Sequence, residues 1–344
     1  MVELIERVRA FADEVLFPAA LEVDRTGVIP ESHWEQMADL GLYGLAAPAD
    51  AGGPGLGLFE IIDVIETMAA GCMATTFTWV QHHGVVMGLA NTSEASLRDR
   101  YLADALAGRI RGGVAFAGVI PDPPRMRARR TDGGWLISGE APFVSGWGII
   151  DILQMSAGDE ETGDIIAAIV PAVEQPGTVD VEPHQLVAAQ GTQTVSLHVR
   201  DLFVTDDTIV GRTPRAQFLA NQGVAVRLNG TLSIGIVRRC ARLLHEAGAG
   251  MAAARIDAEC DEVRAALDAG LVDPVALNSA RAAAAQLAVR AGAALVTAGG
   301  GPSLRTDHQA QRLAREALFV LVAASRAEVK RLLLDDLSAP RPAT

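Results

Sequence analysis

The stretch IERVRAFADEVLFPAALEVDRTGVIPESHWEQMADLGLYGLAAPADAGGPGLGLFEIIDVIE, residues 5–66, decides the fold of this chain. Its apolar residues recur every three or four positions over residues 4–15 and again over 34–42, as one buried helix face requires. Gly41 and Gly44 can end the second helix, and the run PADAGGPGLG is rich in turn formers. The stretch therefore predicts two helices, a loop and a further helix that begins at Leu58.

The sequence pattern changes twice farther along the chain. Between residues 111 and 212, the β-branched segments GGWLISG, DIIAAIV and TVSLHVRDLFV alternate with Gly, Pro and Asp turns, which is typical of antiparallel strands. Alanine-rich helical segments then return, with interruptions near Gly270–Pro274 and Gly299–Pro302. We therefore predict a mostly α, α+β chain with an N-terminal helical domain over 1–110, a central β-domain over 111–212 and a C-terminal helical bundle over 213–344.

Composition and charge exclude several classes of protein. The chain has 344 residues, 49% of them hydrophobic, and a formal net charge of −13, which argues against general disorder and against binding to nucleic acid or an anionic membrane. It has no uninterrupted apolar run of about 18 residues, and its beginning lacks the pattern of a secretion signal. The three cysteines form no CxxC pattern, which suits a reducing cytosol. We expect a cytoplasmic protein.

The opening stretch resembles the N-terminal domain of acyl-CoA dehydrogenases through its "P-A…D" helix end and its "P…W…LG-GL…P…GG-G" passage. The later segment GWLISGEAPFVSGWGIID resembles the family's "G-W-x-L-x-G-x-K-x-F-I-T-N-x-x-x-A-D", and VRDLFVTDDTIVG resembles "F-D-D-V-x-V-P-x-x-N-x-L-G", with Thr205 where proline is common. The resemblance covers almost the full chain. It implies a central antiparallel β-barrel-like domain and a C-terminal four-helix bundle. It also implies FAD between these two domains, an acyl-CoA or similar small-molecule substrate, and a homodimer or tetramer.

The resemblance also implies flavin contacts at named positions. Phe143 falls where the family places an aromatic residue against the isoalloxazine ring, and Ser145 falls where it places a hydroxyl group. Gly300 and Gly301 occupy the family's "G-G-x-G" loop, where small residues let the backbone approach the adenosine diphosphate. These four residues are the better-matched part of the implied FAD site.

Two other flavin contacts are altered. Val119 falls where the family's "T-E-P-x-A-G-S-D" loop carries a threonine hydroxyl, so we expect only backbone amides to serve there. The "R-x-x-F-G" turn, whose arginine commonly meets the pyrophosphate of a neighbouring subunit's FAD, is reduced to residues 255–259, with Arg255 as its substitute. A solvated helix-surface arginine is the alternative interpretation of Arg255.

The family's catalytic glutamate is replaced by Ala324. The motif "R-D-A-x-x-x-x-I-Y-E-G-T" aligns without a gap on residues 315–326, and alanine cannot accept the α-proton that this reaction removes. We interpret the neighbouring Glu316 and Glu328 as surface charges. Arg227 and Arg326 are candidates for binding an anionic substrate, with ion pairing at a helix surface as the alternative.

His82 is the remaining candidate for an acid or base. It follows Trp79 on a helix in a region that often borders the acyl pocket in this family, and imidazole titrates near neutral pH. A buried, hydrogen-bonded structural histidine is the alternative. The His82-His83 pair has no accompanying Cys or carboxylate pattern, so we predict no metal site.

The sequence leaves three functions open. The first is an acyl-CoA dehydrogenase-like FAD oxidoreductase with a relocated base. The second is a flavin-dependent monooxygenase of the same fold, whose "W-x-F-x-S-G" resembles residues 142–146 and which needs no glutamate at Ala324. The third is a non-catalytic subunit that pairs with an intact homologue in a heteromeric enzyme.

Overall fold

The N-terminal part of the computed structural model is helical, and the structure describes residues 2–324 and 326–339. The first helices are α1 (Val2–Phe11), α2 (Phe17–Thr26), α3 (Glu31–Asp39), α4 (Leu58–Gly71), α5 (Met73–Asn91) and α6 (Ala95–Leu106). The apolar periodicity of the sequence explains them, since α4 buries Ile62, Ile65 and Met68 on one side. The turn-rich run predicted as a loop lies between α3 and α4.

The central part is an eight-stranded sheet. Its strands are β1 (Gly112–Ala115), β2 (Arg127–Thr131), β3 (Gly134–Val144), β4 (Ile152–Asp159), β5 (Ile165–Pro171), β6 (Val179–Pro183), β7 (Val195–Thr205) and β8 (Ile209–Thr213). They lie in the order β6-β7-β3-β2-β4-β5-β8, with β1 beside β4. Most pairs are antiparallel, but β1–β4 and β2–β4 are parallel, so the sheet is mixed and the antiparallel prediction needs this correction. After the β2–β3 hairpin the chain reverses again, so β4 runs in the direction of β2, and β1 pairs with β4 in that same direction.

The C-terminal part is a bundle around one central helix. It comprises α7 (Arg215–Ala220), α8 (Gly223–Glu246), α9 (Gly250–Ala269), α10 (Pro274–Gly299), α11 (Gln309–Val322) and α12 (Ala327–Ser338). Helix α10 packs against α8, α9, α11 and α12. It is long and apolar enough to cross a membrane by length and composition alone, but Leu277, Leu287 and Ala291 are buried within the bundle. A core helix of a bundle has the same composition. The predicted mostly α fold, with a central sheet and a C-terminal bundle, is confirmed.

One side chain joins the three parts. Arg315 on α11 donates from Nη1 to the carboxylate of Asp24 on α2 at 3.0 Å and to the carbonyl oxygen of Val187 at 2.6 Å. Val187 lies in the connection between β6 and β7. The same connection passes close to α2 at Gly191, where a β-carbon would lie 2.7 Å from Cγ1 of Val23. The helical parts therefore hold the β6–β7 connection in place.

Candidate functional site

Three buried hydroxyl groups meet where β3 ends and β7 begins. The Oγ atom of Ser145 lies 2.7 Å from Oγ1 of Thr194, which lies 2.8 Å from Oγ1 of Thr192. We call these residues the hydroxyl row. Each hydroxyl donates one hydrogen bond, so the two bonds within the row use two of its three O–H protons and leave one for a further acceptor. Ser145 was predicted as a site residue, whereas both threonines were missed, although the T-x-T pattern directly before a strand is visible in the sequence.

Phe143 precedes the hydroxyl row in an unusual conformation. Its φ is 53°, in the left-handed region, and 67% of the residue is exposed. Ala189 and Gln193, in the connection that carries Thr192 and Thr194, also have positive φ values of 59° and 45°. Such conformations cost free energy in residues other than glycine, and they concentrate at ligand sites. The exposed ring of Phe143 and the buried hydroxyl of Ser145 therefore lie close in sequence, in a region where the backbone is strained.

The connection between β1 and β2 is occupied by contacts within the protein. The guanidinium of Arg215 donates to the carbonyl oxygens of Val119 at 2.6 Å, Ile120 at 3.1 Å and Pro121 at 2.8 Å. The amides of Val119 and Ile120 donate to the carbonyls of Phe116 and Ala117. The side chain of Val119 is fully buried. The expectation that the amides at Val119 serve a flavin is therefore wrong, because this turn already uses them.

The bundle contains two predicted nucleotide contacts, Arg255 and the loop at Gly300 and Gly301, and the structure contradicts only the first. Arg255 is exposed inside α9, not on the turn, because the turn is formed by Ala247–Ala249 and the alanines that follow continue the helix. The assignment of Arg255 to a pyrophosphate-binding turn is therefore wrong. Gly300 lies between α10 and α11 with φ 60° and ψ −150°, a conformation that essentially only glycine adopts. A β-carbon on Gly300 or Gly301 would meet no atom within 4 Å, so this loop is open to a ligand.

Ala324 follows α11 with φ 48° and an exposed side chain, and its methyl group offers no proton acceptor. Glu316, the carboxylate within α11, is buried and lies 2.6 Å from Nη1 of Arg312. Burial raises the pKa of Glu316. The interpretation of Glu316 as a surface charge is wrong, because the face of α11 that carries it packs into the core. Glu328 is exposed in the first turn of α12.

The two arginines predicted for substrate binding lie in different surroundings. Arg227 is fully buried, and its guanidinium donates to Oδ1 of Asp268 and Oγ1 of Thr231, both at 2.7 Å, with Glu66 at 3.6 Å. This charge is neutralised inside the protein, so the prediction that Arg227 binds substrate is wrong. Arg326 is half-buried at the start of α12, and the partial burial lowers the pKa of its guanidinium. That Arg326 binds an anionic substrate stays a prediction.

His82 is held on both sides of its ring. Its Nδ1 accepts from the amide of Gly112 at 2.9 Å, so the proton is on Nε2, which donates to the carbonyl of Ala105 at 3.1 Å. Burial lowers the pKa of His82 to about 4. A neutral ring with two backbone partners serves structure, so the acid–base prediction for His82 is wrong. Within residues 2–324 and 326–339, no group of three or more His, Cys, Asp or Glu side chains could hold a metal ion.

Comparison with known proteins agrees with this architecture. Residues 2–109 match the family model for the acyl-CoA dehydrogenase N-terminal domain. The mitochondrial 2-methylacyl-CoA dehydrogenase of Solanum tuberosum is 24% identical over 363 residues, covering 96% of this chain and 88% of that protein. These matches extend the likeness beyond the N-terminal helices to almost the full length.

Two solved structures share the fold. A glutaryl-coenzyme A dehydrogenase in complex with glutaryl-CoA aligns with a TM-score of 0.86 at 17% identity, covering 98% of this chain and 94% of its own. A glutaryl-CoA dehydrogenase from Mycobacterium smegmatis in complex with FADH2 aligns with a TM-score of 0.83 at 16% identity, over 98% and 94% of the two chains. Helices, mixed sheet and bundle in this arrangement define one class of protein. Over residues 2–109 the chain carries the N-terminal domain of acyl-CoA dehydrogenases, and it is similar to members of that family over almost its full length, as its sequence predicted.

Proposed function

We propose that this protein is an FAD-dependent oxidoreductase that acts on an acyl-CoA or a related substrate without a proton acceptor at residue 324. The observation that supports this function is the exposed ring of Phe143 beside the buried hydroxyl of Ser145. The fold is shared with a glutaryl-CoA dehydrogenase that binds FADH2. Bound FAD would supply the acceptor for a hydride. The dehydrogenase relatives make a thioester the first substrate class to test.

The residues present fit a flavin at two places. Phe143 offers a flat apolar wall, and the hydroxyl row has one O–H proton free to donate to an acceptor atom of the ring system. The open backbone at Gly300 and Gly301 suits close approach of a diphosphate. The missing arginine on the α8–α9 turn weakens the fit at the pyrophosphate, so we expect FAD to bind less tightly than it does with all contacts present.

A non-catalytic subunit is the second candidate. It is favoured by Ala324 together with the position of Arg255 inside α9, since both depart from the family's pattern. In either function we expect a homodimer or tetramer, with a heteromer containing an intact homologue as the alternative. Exposed apolar side chains on α11 and α12 support association of subunits; they are Leu318, Val322, Leu334 and Leu337.

The experiment begins with the purified full-length protein. We expect the visible absorption of oxidised flavin after purification, or its uptake when FAD is added. A panel of acyl-CoA thioesters is then mixed anaerobically with the loaded protein, and bleaching of the flavin is followed. Bleaching by a thioester supports the dehydrogenase. Protein that neither contains nor takes up FAD contradicts the proposal and supports the non-catalytic subunit.

A second experiment distinguishes the dehydrogenase from the flavin-dependent monooxygenase. Reduced flavin, oxygen and aromatic substrates are supplied to the same protein, and products are identified by mass. Incorporation of an oxygen atom, with no bleaching by any thioester, would replace the dehydrogenase with the monooxygenase. Size-exclusion chromatography with light scattering, on the protein alone and after mixing with an intact homologue, measures the oligomeric state.

A further inference from the structure

His184 contacts Phe143, although nothing in the sequence marked it. It is the first residue after β6, and its ring centroid lies 5.1 Å from that of Phe143 with 35° between the ring planes. This separation is within the range of stacked aromatic pairs. Because Phe143 is still 67% exposed, the imidazole covers only part of the ring and leaves the remainder for a ligand.

His184 is itself fixed by β7 and by the residue directly before that strand. Its Nε2 lies 2.9 Å from Oγ of the buried Ser196, and its amide donates to the carbonyl oxygen of Thr194 at 3.1 Å. The hydroxyl of Thr194 in turn meets that of Ser145. The contacts therefore form a closed circuit that connects the Phe143 ring, through His184 and Thr194, back to Ser145, two residues from Phe143.

We propose that His184 is a positioning residue that holds the ring of Phe143 against a planar ligand while Ser145 donates to that ligand's edge. This inference rests on the proposed function, because the planar ligand is the isoalloxazine of FAD. Phe143 combines a left-handed backbone with a largely exposed side chain, and an exposed phenyl ring without a support would sample several rotamers. His184 removes part of that freedom before the ligand binds, and this preorganisation raises affinity.

Three variants of His184 separate stacking from hydrogen bonding. His184→Ala removes both, His184→Gln keeps a polar partner for Ser196 without a ring, and His184→Phe keeps a ring without that partner. His198→Ala is the matched control, because His198 lies on β7 in the same domain and its Nε2 pairs with exposed Glu182 at 3.1 Å. Each protein is titrated with FAD, and its dissociation constant and bound-flavin spectrum are recorded together with its melting temperature.

We expect His184→Ala and His184→Gln to weaken FAD binding about threefold to tenfold, as loss of one aromatic pair predicts, and to shift the bound-flavin spectrum. His184→Phe should restore both, and His198→Ala should change neither. Unchanged affinity and spectrum in His184→Ala would overturn the inference while the proposed function stands. Equal losses in all three His184 variants would assign the residue to folding instead. Wild-type protein that binds no FAD would remove the proposed function and this inference with it.

Discussion

The Ser145 hydroxyl lies 2.7 Å from the Thr194 hydroxyl and so joins the end of β3 to the residue before β7. Neither hydroxyl comes from a regular strand, and their meeting depends on the β3–β7 pairing, whose last register pair is Val144 with Val195. The Ser145 hydroxyl is thus placed by the sheet and oriented by a side chain 49 residues farther along the chain. This relationship can be tested directly.

Ser145→Ala should weaken FAD binding about fivefold, because one net hydrogen bond contributes about 1 kcal/mol. Ser145→Thr keeps the hydroxyl and should retain most of the affinity. Titration with FAD, followed by quenching of flavin fluorescence, measures the effect. Ser138→Ala is the control on the same strand, because the Ser138 hydroxyl bonds Asp201 at the surface. Equal affinities for the wild type and Ser145→Ala would show that Ser145 is not the donor.

Arg227→Met should lower the free energy of unfolding by about 1–3 kcal/mol, since it removes the buried cation beside Asp268 and Glu66 while Arg264 still pairs with both carboxylates. Arg290→Met is the matched control, because Arg290 pairs with Glu259 at the surface and should contribute less than about 1 kcal/mol. Urea unfolding followed by circular dichroism gives both values. A weaker apparent affinity for thioester with unchanged stability would return Arg227 to the substrate site.

Burial lowers the pKa of His83 to about 3, well below the value of about 6.5 in an unfolded chain. The unfolded chain therefore binds a proton at His83 below about pH 6.5 while the folded protein does not, so this contribution to stability is complete above about pH 6.5 and is lost as the pH falls toward about 3. His83→Gln should reduce the loss of melting temperature on acidification.

The control for this pH dependence is His245→Gln, since His245 is exposed and its replacement should leave the dependence of the wild type unchanged. Melting temperatures are measured by differential scanning fluorimetry at a series of pH values. The neighbouring His82 is also buried with a lowered pKa, so His83→Gln should remove only part of the pH dependence of the melting temperature. Parallel curves for the wild type and His83→Gln would contradict the assignment.

Ala324→Glu alone should not produce robust dehydrogenation. The backbone at Ala324 is left-handed and its side chain exposed, so a glutamate there would be strained in its backbone and its carboxylate would be solvated. In addition, Ser325 and Arg326 replace the glycine and threonine of the family motif. The rate of flavin bleaching by thioesters is compared with that of Ala324→Gln, and a large gain in the glutamate variant alone would refute this expectation.

The helices predicted over residues 4–15 and 34–42 correspond to α1 and α3, whereas α2 was not predicted and long-range neighbours were not predictable. Helix α4 begins at Leu58, as its periodicity indicated. The parallel pairing of β1 with β4 joins Gly112 to Ile152, and no local pattern encodes a partner 40 residues away. Glu316 was misassigned because the exposure of a helix face depends on which helices pack against it, and the sequence does not show that packing. Its ion-pair partner Arg312, in contrast, lies only four residues away on the same helix.

The residues of the candidate site also differ in how far the sequence predicted them. Phe143 and Ser145 were predicted because a long motif surrounds them, and the structure places both at the end of β3, where their role in binding stays a prediction. Arg255 was assigned to a turn by counting from a motif, but Gly248, with φ 81°, ends α8 seven residues earlier. His82 was a candidate because of its residue type, and only the backbone groups of Ala105 and Gly112 reveal that both ring nitrogens are engaged.

Arg315 has a consequence for how the molecule comes apart. Its guanidinium contacts α2 through Asp24 and the β6–β7 connection through Val187, while its own backbone belongs to α11. Moving α11 away breaks hydrogen bonds to both other parts, and moving either of those parts away breaks its own hydrogen bond to Arg315. The chain should therefore melt in one cooperative calorimetric transition, and Arg315→Ala should lower the temperature of that transition.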